Sequence, residues 1–114
     1  MHSDKTLSAI ADIIEHAELA LDFASAHSSI SLAKDKKTYH AIVRCLEIVS
    51  EASRRLPEDM KAEFPHIPWK DIAAAGNFYR HDYGRVQAAV VLETVTLDLP
   101  ALLNALRAVG KSAR

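Results

Sequence analysis

One cysteine, three glycines and four prolines are all the chain holds of the residues that staple or interrupt a fold. The lone Cys45 excludes an intramolecular disulfide and suits a reducing compartment. So little glycine and proline excludes a collagen-like or low-complexity chain. No stretch alternates apolar and polar residues in the manner of a half-buried strand. An excess of one charge is also missing: 14 Lys and Arg against 15 Asp and Glu leave a net charge of −1. Whole-molecule charge therefore does not mark a polyanion-coating protein, although a local basic site stays open. No apolar run approaches the ~18–20 residues that would span a bilayer. The opening "MHSDKTLSAI" lacks the basic and apolar regions of a signal peptide. The expectation is a cytoplasmic protein with no membrane association.

What is present points to helices. The 114 residues are 49% hydrophobic and 25% charged, as in an ordinary globular protein. They fit a single domain, 1–114, which can bury roughly 60–70% of its unfolded surface. Alanine and leucine are plentiful and favour helix. Residues 4–26 read as a first helix, with Ser3 as N-cap and Leu7, Ile10, Ile13, Ile14, Ala17, Leu21 and Ala24 at helical spacing. The serines and charges of "HSSISLAKDKK" read as a connection. Asp35 caps a second helix over about 36–56, with an apolar face of Tyr39, Ile42, Val43, Leu46, Val49, Ala52 and Leu56.

Pro57 interrupts, "EDMKAEF" makes a short helix, and Pro68 suits the first position of the next helix. That helix is expected to carry "WKDIAAAGNFYRHDY" and stop near Gly84. A last helix covers about 86–109, with Val91, Val95, Leu99, Leu102, Leu103, Leu106 and Val109 as its stripe. Pro100 should kink or divide it. The pattern predicts an all-α bundle of four to five helices.

The stretch "AAGNFYRHDYGRV", residues 74–86, gathers Asn77, Arg80, His81, Asp82, Tyr83 and Arg85. On a helix, Asn77, Arg80, His81 and Gly84 share a face that continues the apolar stripe of Trp69, Ile72, Ala73 and Gly76. These groups suit a phosphate. Arginine offers a planar, always charged fork, and histidine titrates near neutrality. Together they can cleave RNA without a metal ion. The base takes the ribose 2′-hydroxyl proton while arginine stabilises charge at phosphorus. Asn77 can orient the phosphate, and Tyr83 can hydrogen-bond to or stack on a base. The competing reading is a capping and salt-bridge cluster at a helix end, the commoner role of such residues.

The order "AIVRCLEIVSEASRRLPEDMKAEFPHIPWKDIAAAGNFYRHDYGRV" and then "VLETVTLDLPALLNAL" resembles the HepT-like branch of the HEPN superfamily. The features that carry it are Glu51–Ala52, the "PHIPW" bend, the "GN…RHDY" run and the late "LPALL", over roughly residues 35–106. The resemblance implies a helical bundle that forms a homodimer, with a metal-independent ribonuclease site at the subunit cleft and RNA as substrate. It also implies a minimal nucleotidyltransferase as antitoxin, which silences the toxin by transferring AMP to its motif tyrosine. His81 matches the catalytic histidine, Tyr83 the modified tyrosine, and Asn77 the polar residue after the motif arginine.

That arginine would stand at residue 74, 75 or 76, and this chain has Ala74, Ala75 and Gly76 there. Arg80 is the expected substitute, with Arg85 and Arg44 as weaker candidates and Asp82 and Glu51 as supporting residues. The alternative is a catalytically weak or inactive dimeric protein that serves as binding partner of the nucleotidyltransferase. No cofactor and no metal is expected, because His16, His27, His40 and His66 share no ligand spacing on one helix. Cys45 is expected to be a packed, inert thiol, and Trp69 a core or interface anchor. Glu51 has a plain structural role open to it, pairing with Arg54 or Arg55.

Overall fold

The computed structural model describes residues 2–75 and 85–112. Every regular element among them is helical, as the periodicity predicts. α1 spans Asp4–Ala24, α2 Ser29–Lys34, α3 Lys36–Ser53, α4 Glu58–Ala62 and α5 Trp69–Ala74. Beyond residue 84 come α6, Arg85–Glu93, a π-helical turn over Thr94–Asp98, and α7, Leu99–Ser112.

α1 starts where expected: the Ser3 hydroxyl accepts from the Thr6 backbone N–H at 3.1 Å and satisfies one of the unpaired donors of the first turn. Its core face differs from the expected stripe. Ala9, Ala17 and Ala20 are fully buried, whereas Leu7 is 38% exposed. Small side chains take up much of the buried side of α1, which packs along α3 and also meets α7. The larger Leu7 is left at the margin.

The presumed connection holds a helix of its own. Ser28 and Ser31 form a reciprocal capping box that starts α2, and Leu32 plugs it into the core. Asp35 then caps α3, accepting from the Thr38 N–H at 3.1 Å and the Thr38 hydroxyl at 2.6 Å. Tyr39, Ile42, Leu46, Val49 and Ala52 are buried as expected.

The "PHIPW" bend is held by Trp69. Its indole N–H donates to the carbonyls of Lys61 and Phe64, each at 3.1 Å, which fixes α5 against the end of α4. Pro68 stands at the N-cap of α5, one residue before the position expected, and its carbonyl accepts from the Ile72 N–H at 3.0 Å.

The interruption expected from Pro100 takes the form of the π turn. Proline has no N–H to offer the carbonyl four residues back, at Thr96, and the widened turn lies at that point. The inward stripe stays in register across it, with Val91, Val95, Leu99, Leu102 and Leu106 at most 1% exposed. Contrary to expectation, Gln87–Gly110 is long and apolar enough to cross a bilayer. That length comes from the joining of α6, the π turn and α7, and its inward stripe fills the core against α1.

Candidate functional site

Asn77, Arg80, His81, Asp82 and Tyr83 lie outside the described residues, as does the side chain of Arg85, whose backbone opens α6. The structure does describe the platform that leads into this stretch. α5 ends at Ala74 with Ala75 as its C-cap, and it packs on the last turns of α3.

Two α3 side chains hold the end of α5. The Ser50 hydroxyl, on a residue only 1% exposed, donates to the Ala73 carbonyl at 2.6 Å. Arg54, one helical turn later, donates from Nη1 to the same carbonyl at 2.6 Å and to the Ser50 hydroxyl at 3.2 Å. A last-turn carbonyl has no N–H of its own helix guaranteed to meet it, and it carries the negative end of the helix dipole, so a guanidinium suits it. Sequence reasoning passed over Ser50 and named Arg54 only as a possible partner of Glu51, which pairs instead with Arg55. The available signal was a serine on the apolar stripe of α3 with an arginine four residues on, the spacing that brings side chains together on a helix.

Neighbouring Arg55 behaves differently. Its Nη2 donates to Asp12 on α1 at 2.9 Å and to Glu51 at 3.2 Å. Hydrogen bonding to Asp12, opposed by partial burial and helped by Glu51, holds the guanidinium firmly in its charged form. Glu51 thus takes the plain structural role open to it. Arg44 is exposed on α3, ten residues before Arg54, or ~15 Å along the axis.

His16, His27, His40 and His66 have local partners. His16 Nδ1 donates to the Asp12 carbonyl at 2.7 Å. His27 bonds to the Ser31 hydroxyl at 2.9 Å and lies 3.5 Å from the Asp35 carboxylate. His40 meets the Tyr39 ring edge-on, and His66 does the same with Phe64. Among the described residues, no group of three His, Cys, Asp or Glu side chains is placed to hold a metal ion. Cys45 is buried, and burial, aided by Glu15, pushes its thiol above the usual range, so it is a poor nucleophile. Asp98, in the π turn, is pushed up by burial and then by the negative charges of Asp71 and Glu93.

The family described as Ribonuclease HepT-like matches residues 13–109. Over 91 residues the chain is 38% identical to "Probable ribonuclease HepT" of Thermococcus cleftensis, covering 80% of this chain and 83% of that one. It is 31% identical over 91 residues to "Putative RNase MJ1216" of Methanocaldococcus jannaschii, covering 80% and 75%. It is 33% identical over 89 residues to "Putative RNase MJ0127" of the same organism, covering 78% and 74%. No solved structure matches. The matched span takes in most of α1, the α3–α5 platform, the polar stretch and α7. The chain belongs to the HepT-like ribonuclease family of the HEPN superfamily.

Proposed function

We propose that this protein is an endoribonuclease toxin that cuts RNA without a metal ion. The observation that carries the reading is the family match across residues 13–109; that span contains His81 and Tyr83, which the sequence resemblance equates with the family's histidine and tyrosine. His81 removes the 2′-hydroxyl proton. The 2′ oxygen then bonds to phosphorus as the bond to the 5′ oxygen breaks, and the histidinium returns its proton to that leaving oxygen. The products are a 2′,3′-cyclic phosphate and a 5′-hydroxyl. Arg80 offsets the charge that gathers on the phosphate oxygens, and Asn77 orients them.

The toxin works in this reading as a homodimer in the cytoplasm, with two copies of the polar stretch facing one groove. A minimal nucleotidyltransferase is its antitoxin and transfers AMP to Tyr83. The added phosphate brings negative charge beside the site and repels the RNA backbone.

The second reading, a non-cleaving partner of the nucleotidyltransferase, draws on Ala74, Ala75 and Gly76 standing where the family arginine would be. One experiment separates the two. Purified protein, shown by mass to be unmodified, is incubated with total RNA in EDTA beside His81→Ala. Cleavage by the wild type alone, with cyclic phosphate ends, supports the nuclease. Intact RNA in both tubes overturns it and leaves the binding role, which capture of the nucleotidyltransferase by both forms would support.

A further inference from the structure

Among the described residues, Arg54 is the arginine near the entrance to the polar stretch that no carboxylate pairs. Its Nη1 is committed to Ala73 and Ser50. A guanidinium has five N–H groups, so the three on Nε and Nη2 remain, and no described residue takes them. No carboxylate among the described residues pairs with it, whereas Arg55 and Arg107 are paired with Asp12, Glu51 and Glu18. The residue is exposed. The Nε–Nη2 edge of a guanidinium presents two parallel N–H groups, the fork that matches two oxygens of one phosphate.

The anchoring matters as much as the charge. A free surface arginine would lose much side-chain entropy on gripping a ligand. Arg54 is already held by two hydrogen bonds through its inner nitrogen, so its outer edge is presented in a set orientation. Ala73 is also only three residues before Gly76, a distance the chain can extend to at most ~11 Å. Arg44, by contrast, lies ~15 Å further back along α3 and has no such anchor among the described residues.

We propose that Arg54 is a phosphate-binding residue for RNA: Nη1 clamps the Ala73 carbonyl while the Nε–Nη2 edge receives a backbone phosphate. This rests on the reading of the protein as one that acts on RNA, and it adds a cation at the end of α3 to the Arg80 of the polar stretch.

The test compares wild type with Arg54→Gln, Arg54→Lys and His81→Ala. Glutamine removes the charge and, being two bonds shorter, the reach of Nη1 to the Ala73 carbonyl, and lysine keeps the charge without the fork. Two readouts are taken: cleavage of total RNA, and the salt dependence of binding to a fluorescent single-stranded 2′-O-methyl RNA that cannot be cut. Loss of one phosphate contact lowers the slope of log affinity against log salt by ~0.7. Arg54→Gln should show that drop, together with ~100-fold slower cleavage. Arg54→Lys should keep the slope and recover only part of the rate. An unchanged slope in Arg54→Gln overturns the proposal, whether or not cleavage or stability falls, because a purely positional arginine would not alter the ion count. If the wild type does not cleave RNA, the nuclease reading fails by itself, while the binding slope still decides the role of Arg54.

Discussion

Ser50 and Ala73 are twenty-three residues apart in sequence and 2.6 Å apart in space, hydroxyl to carbonyl. This contact joins the helix that forms the centre of the bundle to the helix that leads into the polar stretch. Ser50→Ala leaves the Ala73 carbonyl with Arg54 alone and removes a buried donor. The expected cost is ~1–2 kcal/mol in urea unfolding. An unchanged midpoint would mean that Arg54 or water satisfies the carbonyl unaided.

Trp69 should be less replaceable than its partial exposure suggests. Its indole N–H serves two carbonyls, those of Lys61 and Phe64, on the turn between α4 and α5. Trp69→Phe keeps most of the apolar contact and strips both carbonyls of that donor, at an expected ~1–3 kcal/mol. Hydrogen exchange should quicken first in residues 58–75. Uniform quickening across α1 and α3 as well would assign Trp69 to the global core instead.

The helices were legible because their signals are local and redundant. Ser3 and Asp35 announce α1 and α3, and the stripe from Val91 to Val109 keeps one period for five turns. α2 was missed because its capping box is written in serines, residues that equally mark a loop. Leu7 was misplaced because periodicity identifies a face but not its centre, which here runs through Ala9, Ala17 and Ala20. For the polar stretch, residue types suggested a chemistry and the family resemblance suggested roles for residues that lie outside the described part of the structure. Of the Ser50–Arg54–Ala73 clamp only the i, i+4 pair left a signal; its Ala73 end was not legible, since a backbone carbonyl leaves no trace in the sequence and the pairing spans a chain reversal.

A guanidinium at the position the family resemblance implies should replace that of Arg54. Gly76→Arg restores an arginine at the spacing the family resemblance implies. In the Arg54→Gln background it should regain at least ~10-fold in cleavage, whereas in the wild type it should add less, since the two cations would share one role. Equal, independent gains in both backgrounds would show that the two positions serve different phosphates.

Two carboxylates give the stability of the protein opposite responses to acid. Asp35 accepts from the Thr38 hydroxyl and N–H, which hold its carboxyl below the usual value of 3.8. Its contribution is complete above 3.8 and is lost as pH falls through the lowered folded value. Asp98 runs the other way. Burial first, and then Asp71 and Glu93, raise its folded value above 3.8, so the native state binds a proton more readily than the unfolded chain. Stability therefore falls as pH rises from 3.8 through that raised value, and at neutral pH the ionised Asp98 is a standing penalty. Asp98→Asn should raise the midpoint of thermal unfolding at pH 7 and leave it nearly unchanged at pH 3, where the native carboxyl is already neutral. Asp35→Asn should lower it at pH 7 and matter least in strong acid. Melting curves of both variants from pH 3 to pH 8 check the signs directly, and a lower midpoint for Asp98→Asn at pH 7 would mean that the ionised carboxylate has a stabilising partner outweighing Asp71 and Glu93.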